Sequence, residues 1–467
     1  MKTLPQVTAT AEQLPLISQN RFGVEVIRGA AGSGKTSTAL LRLRSLCLMF
    51  GARHARLSLP TPVRVLVLTF NRTLAGYVRN LVNTQIAPNA NIDLRIDTFG
   101  RWAMESLGNP DVQAQRAWAK LNELAKGLGE LTPGYICKEA EYLLGRFEPE
   151  GLGDYINTER TGRGAVPRVD RRLRRRILDE VIYPYLRWLQ ANGIEDWNTI
   201  AVRMSREVNV PGYDIVIVDE GQDFSANQLR AIRHHLAPDH AITFVIDTVQ
   251  RIYARGFTWQ ESGFEVRPER VHTLRANHRN TVEIAAFAAS ILHGFGAEPD
   301  GVLPNLAAAT THGPLPKVLR GLYRQQVAWA IGHIVRSIDL QKDTVAFLKP
   351  KAGEWFSMIK GQLNMNHIGW TDITREQDWP TGYENVALST FHSAKGLEFD
   401  YVFILGLNQE NTPYPDEQLD DEVRVLRKLL AVAVARARKE VIIGYKPGEQ
   451  SRLIQYFGAG TFDEFDV

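Results

Sequence analysis

Residues 215–223 read Ile-Val-Ile-Val-Asp-Glu-Gly-Gln-Asp, which sets two carboxylates, Asp219 and Glu220, directly after an apolar run. Four apolar residues in a row predict a short buried strand. Its carboxyl end is where open α/β sheets bind their ligands. An Asp at that end can hold Mg²⁺, and a Glu beside it can orient or deprotonate a water. A second group stands upstream. Gly29, Ala30, Ala31, Gly32, Ser33, Gly34, Lys35 and Thr36 fit the pattern G-x-x-x-x-G-K-S/T. The apolar run 24–27 precedes them and a helix-like stretch, 37–48, follows. That strand–loop–helix context is what a phosphate-binding loop requires. The glycines let backbone N–H groups turn inward, and the helix N-terminus adds partial positive charge. Lys35 would reach the β and γ phosphates, and the Thr36 hydroxyl would bind Mg²⁺ with Asp219.

The elements that must position these groups are also readable. Strand-like runs at 63–70, 215–218, 242–246, 344–348, 386–390, 401–405 and 441–445 alternate with helical segments. Such alternation predicts parallel sheets with crossover helices. The block 101–208 differs, being mostly helical and polar, with a Gly/Arg-rich interruption at 151–169. The chain therefore reads as an α/β protein of two P-loop-type units. Residues 1–100 and 209–273 form the first, 101–208 a helical insertion in it, and 274–467 the second. The acidic end, 463–467, reads as a tail.

Composition sets bounds. At 467 residues the chain has room for more than one core. With 44% hydrophobic and 23% charged residues it is ordinary for a globular protein. Two cysteines, Cys47 and Cys137, are too few for a disulfide framework or a cysteine zinc site. The histidines lack ligand-like spacing, and His234-His235 reads as a solvated helix face. The N-terminus lacks the apolar core of a signal peptide, and no run approaches membrane-spanning length, so a cytoplasmic location is expected. A net charge of +3 permits a nucleic-acid partner without requiring one. The densest positive run, 160–176, carries Arg171, Arg172 and Arg175 among eight arginines. It could track phosphates or simply coat a helix.

Further boxes follow in fixed order. Gln13 lies upstream of the loop. Leu68-Thr69-Phe70-Asn71 and Asp97-Thr98-Phe99-Gly100 end two strands. Asp247-Thr248-Val249-Gln250-Arg251-Ile252-Tyr253 comes next, with Phe257 and Trp259 just beyond. Leu274-Arg275-Ala276-Asn277-His278-Arg279, then Ser389-Thr390-Phe391-His392-Ser393-Ala394-Lys395-Gly396-Leu397-Glu398-Phe399, and Val432-Ala433-Val434-Ala435-Arg436-Ala437 complete the set. In order and spacing these boxes resemble those of superfamily 1 DNA helicases of the UvrD/Rep/PcrA type, over nearly the whole chain.

The resemblance implies two RecA-like motor domains that hydrolyse ATP between them and move 3′→5′ on single-stranded DNA or from the tail of a duplex. It implies that Lys35 and Thr36 hold phosphates and Mg²⁺, that Asp219 binds the metal and that Glu220 activates water. Gln250 would sense the γ-phosphate, and Arg279 and Arg436 would act as arginine fingers. Gln13, Ser37, His278, Gly396 and Glu398 would contact the rest of the nucleotide. Thr69, Phe70, Asn71, Thr98, Tyr253, Trp259 and His392 are its candidate DNA contacts. Phe99 reads as core, and Phe70 is divided between core and base stacking.

The chain departs from the family's pattern at Ile246, His278, Ala435 and Ser37, all in base or peripheral contacts. Only about 110 residues separate Arg279 from the Thr390 box, where relatives place a large accessory insertion, so this reads as a minimal motor. An alternative is an ATP-switched, nucleic-acid-sensing subunit that controls a partner such as a nuclease.

Overall fold

The computed structural model describes residues 9–29, 32–70, 72, 75–76, 78–79, 91–160, 168–207, 212–247, 257–274, 277, 279–294, 309–350, 355–374, 379–380, 382–412 and 420–467. Two parallel sheets organise them. The first runs in the order β3 (Ile92–Thr98), β2 (Val63–Thr69), β4 (Tyr213–Val218), β5 (Leu236–Asp247), β1 (Gly23–Gly29), β6 (Val271–Leu274). The second runs β13 (Asp463–Asp466), β7 (Lys317–Arg320), β12 (Ala437–Tyr445), β11 (Phe399–Ile404), β8 (Val345–Lys349), β10 (Val386–Thr390), β9 (Trp370–Asp372). β8 and β10 are buried along their whole length, as strands covered by helices on both faces must be.

Parallel pairing brings the carboxyl ends of β1 and β4 to the same edge of the first sheet. β5 lies between them and pairs with both. The apolar runs at 63–70, 215–218 and 386–390 fall on strands, because a short apolar run in a parallel sheet needs no alternation to be buried. The helix after the phosphate loop is longer than its apolar stretch, Lys35–Arg56, and ends in basic Arg53, His54 and Arg56, favourable at a helix C-terminus.

The block after β3 is helical, with Ala114–Lys126, Pro133–Arg146, Arg171–Arg176 and Tyr183–Asn192 packed around a core of their own that includes Leu121, Ile136, Leu143 and Ile177. Its buried polar centre is Glu139, which accepts from Arg160 Nε at 2.8 Å and from the Tyr155 hydroxyl at 2.7 Å.

Two expectations are corrected. The acidic end is an edge strand: β13 pairs in parallel with β7, Asp463 opposite Lys317 and Asp466 opposite Arg320, so opposite charges line up across the ladder. His235 is not solvated. It is buried, its Nδ1 lies 2.7 Å from the Ala231 carbonyl, and its ring meets Trp102 edge-on, whereas His234 is exposed. Among the described residues no helix is long and apolar enough to cross a membrane.

Candidate nucleotide site and nucleic-acid cleft

The loop after β1 is held by two left-handed glycines, Gly32 at φ +85° and Gly34 at φ +75°, the second capping helix Lys35–Arg56. Only glycine adopts these values cheaply. Lys35 Nζ donates to the Gly29 carbonyl at 2.8 Å, which keeps its charge over the loop. Thr36 Oγ1 donates to Asp219 Oδ2 at 3.1 Å, joining the loop to the end of β4 across β5. Glu220 sits in the left-handed region, φ +54°, a conformation costly for a residue with a side chain and typical of functional sites. Gln222 Nε2 donates to Glu220 Oε2.

The two neighbouring carboxyls behave oppositely. Burial, reinforced by the charge of Glu220, raises the Asp219 pKa. Burial also pushes Glu220 upward, but Lys395, Arg436 and Lys35 outweigh it and hold Glu220 below its ordinary value. Glu220 therefore stays ionised, while Asp219 is a buried carboxyl short of positive charge. Asp219 and Thr36 together offer hard oxygens about 3 Å apart, which fits Mg²⁺, an ion that uses one or two protein ligands and takes phosphate and water oxygens for the rest. Among the described residues no group of three His, Cys, Asp or Glu could hold a metal by itself.

The second sheet supplies the cations. Lys395, 2% exposed, pairs with fully buried Asp223, and its Nζ lies 3.5 Å from Glu220 Oε2. Arg279 pairs with Glu398, while its Nε and Nη1 are buried without a partner. Arg436 is 2% exposed, its Nε donating to the Val432 carbonyl at 3.1 Å and its Nη1 to that of Leu397 at 3.2 Å. The two halves touch at the loop itself: a Cβ on Gly32 would fall 2.3 Å from Asn277 Oδ1 and 2.8 Å from Arg279 Cβ.

Gln13 is also at the loop. It is buried, accepts from the Thr10 N–H at 3.0 Å and donates to the Ser33 carbonyl at 3.4 Å. Its amide thus braces the loop from the side of Ser33. Ser37 lies half-buried in the first helical turn, and Gly396 takes φ +82° two residues before Glu398. Ala30, Ala31, Asn71, Gln250, Tyr253 and His278 lie outside the described residues.

A cleft of about 810 Å³ opens at the carboxyl ends of β2 and β3. Thr69, Phe70 and Thr98 line it, with Arg72, Arg79 and Arg101, and Ser393 of the second sheet's segment reaches it beside exposed His392. Thr98 caps the helix Phe99–Ser106 by accepting from the Arg101 N–H at 3.4 Å. Phe99 is core, 5% exposed, and Phe70 meets Phe224 edge-on while remaining half-buried in the cleft wall.

Sequence reading missed Trp197, which lines the same cleft and is 46% exposed. It opens the helix Trp197–Met204, and its ring lies against Gly100, where a Cβ would come within 3.2 Å of it. Its spacing hid it: Trp197 stands three, four and seven residues before the buried Ile200, Ala201 and Met204, so by helical period it reads as part of that apolar face. Trp259, expected to stack on bases, is packed on the first sheet: its ring is 4.7 Å from that of Phe244 and also meets Phe264.

The arginine run divides. Arg160 is buried on Glu139; Arg174 donates to the carbonyls of Tyr155, Ile156 and Thr158; Arg176 pairs with Glu130 and Glu180. Those three hold the insertion together. Arg171, Arg172 and Arg175 are exposed, the first two beside a separate cleft of about 800 Å³.

Residues 359–447 match the family model of the UvrD-like helicase C-terminal domain. A probable DNA helicase of Mycoplasma pneumoniae is 23% identical over 447 residues, 89% of this chain and 79% of that protein. A probable DNA helicase II homolog of Mycoplasma capricolum is 38% identical over 84 residues, 18% of this chain and 12% of its own. The ATP-dependent DNA helicase Rep of Buchnera aphidicola (subsp. Schizaphis graminum) is 43% identical over 60 residues, 13% of this chain and 9% of its own. The last two likenesses are local, so the chain spans only a small part of those two relatives within the match.

Proposed function

We propose that this chain, similar to UvrD-like and Rep DNA helicases, hydrolyses ATP between its two α/β units and uses the cycle to move 3′→5′ along single-stranded DNA. The observation that carries this reading is the meeting of the two halves at one point. Thr36, Asp219 and Glu220 come from the first sheet, and Lys395, Arg279 and Arg436 from the second.

Each residue then has a task. The loop N–H groups and Lys35 bind the phosphates. Thr36 and Asp219 hold Mg²⁺, which supplies neutralising charge to the phosphate oxygens. Ionised Glu220 orients the attacking water and takes its proton. Arg279 and Arg436 stabilise the charge that builds on the transferred phosphoryl group, an effect worth roughly 10³–10⁵ in rate.

Since these cations belong to the other sheet, hydrolysis requires the halves to be closed. Loss of the γ-phosphate lets them open, and a strand gripped by both halves is advanced by the change. The cleft suits that strand: the Phe70 and Trp197 rings for bases, the Thr98 hydroxyl and the arginines for phosphates, with Thr69 and Ser393 buried in its wall. The sensor-subunit alternative uses the same residues and gains no support from the relatives, which are named helicases.

The test is strand displacement by the isolated protein with ATP and Mg²⁺ on duplexes carrying a 3′ or a 5′ tail. Displacement from the 3′-tailed substrate is expected; displacement from the 5′-tailed substrate alone would overturn the direction.

A further inference from the structure

Asn280 follows Arg279 directly and is 3% exposed. Its side-chain amide donates two hydrogen bonds, to the Ala435 carbonyl at 3.1 Å and to the Ala437 carbonyl at 2.6 Å. Those two residues flank Arg436. On its other side, Asn280 Oδ1 accepts from Asn277 Nδ2 at 3.3 Å. Asn277 Oδ1 in turn accepts from the backbone N–H groups of Arg279 at 3.1 Å and Asn280 at 3.2 Å. This orientation of the Asn280 amide is the one chemistry permits, since turning it over would aim its oxygen at two carbonyl oxygens. The same Asn277 oxygen faces Gly32 of the phosphate loop.

We propose that Asn280 is a positioning residue for ATP hydrolysis, joining the Arg279 and Arg436 segments into one unit so that both guanidiniums meet the phosphates in register. The proposal rests on the hydrolysis reading above. The two arginines are far apart in sequence and lie on different loops. Each side chain has an anchor of its own, Arg279 on Glu398 and Arg436 on the carbonyls of Val432 and Leu397. Those anchors tie both guanidinium tips to the neighbouring residues Leu397 and Glu398, but through long side chains, so they do not join the two backbones directly. Asn280 does, because a carboxamide nitrogen carries two N–H donors and can hold two carbonyls at once. A serine offers one donor in that place and an aspartate none. An aspartate would also set a carboxylate against both carbonyls and beside Arg279.

The test uses the full chain and compares Asn280→Ser, Asn280→Ala and Asn280→Asp with Arg279→Ala and the Arg279→Ala/Asn280→Ala double variant. Steady-state ATP hydrolysis is read at saturating single-stranded DNA, with nucleotide affinity and Tm measured alongside. Misplacement of a catalytic group by about 1 Å can cost about 10²-fold, so kcat should fall by about that factor in Asn280→Ala, less in Asn280→Ser and most in Asn280→Asp. Affinity for ATP should change by less than about threefold. In the double variant Asn280→Ala should add almost nothing to Arg279→Ala, because the group it positions is gone. A merely structural residue would instead lower Tm and give additive losses. Asn280→Ala at the wild-type kcat, with Arg279→Ala impaired, overturns the proposal, and so does additivity in the double variant. Arg279→Ala at the wild-type rate would overturn the hydrolysis reading itself, and the positioning role with it.

Discussion

Replacing Gly32 by alanine should slow hydrolysis far more than it weakens nucleotide binding. The added methyl would fall 2.3 Å from Asn277 Oδ1 and 2.8 Å from Arg279 Cβ. Ordinary contact begins near 3.4 Å, so the Asn277–Arg279 segment must retreat by about 1 Å. The new residue must also hold φ +85°, at a cost of about 1–2 kcal/mol for a side chain in left-handed backbone. That second cost falls on the loop and would reduce ATP affinity by about tenfold. The retreat falls on Arg279, and a shift of about 1 Å in a catalytic group can cost about 10²-fold in kcat. Equilibrium binding of a fluorescent ATP analogue separates the two terms from DNA-stimulated turnover. A kcat within about twofold of wild type would refute the close packing of the two halves in the reacting state. A loss carried wholly by affinity would assign the damage to the loop alone.

Glu220→Gln keeps the size and hydrogen bonding of the side chain but removes its basicity, so turnover should fall about 10²- to 10⁴-fold while ATP and DNA still bind; stopped-assay phosphate release and filter binding check the two halves. Trp197→Ala should weaken single-stranded DNA binding by about 1–3 kcal/mol, read by fluorescence anisotropy, with little change in hydrolysis at saturating DNA. Changing Arg171, Arg172 and Arg175 together to Gln should lower the slope of log affinity against log salt by up to about 2 on single strands. An unchanged slope would return that surface to simple solvation. Arg174 and Arg176 must be left in place, because their guanidiniums hold the insertion's own backbone and carboxylates.

The chemistry of the nucleotide site was legible because it is local. A strand, a glycine turn and a helix in immediate succession define the loop from 29 to 36, and an apolar run fixes the depth of Asp219. What escaped depends on residues far apart in the chain. The end of the chain reads as a tail by charge, yet Asp463 and Asp466 sit opposite Lys317 and Arg320, a register that no local pattern announces. Eight arginines in one run look alike until Glu139 and three carbonyls claim some of them. Trp197 becomes a cleft residue only because Gly100, on another element, leaves room for its ring. Trp259 reads as a stacking platform because it is an aromatic near a motor motif; Phe244 and Phe264 seat one side of its ring, which stays half-buried. Asn280 carries no signal at all in sequence, since its partners are backbone carbonyls more than 150 residues away.

The central claim is that the two halves form one ATP-hydrolysing site that responds to a bound strand. The most direct measurement is the rate of ATP hydrolysis with Mg²⁺, with and without single-stranded DNA, for the wild-type chain and Arg279→Ala. Strong stimulation by DNA in the wild type, reduced by about 10³-fold or more in the variant, is the expected result. Hydrolysis indifferent to DNA, or a variant as fast as the wild type, would contradict the account.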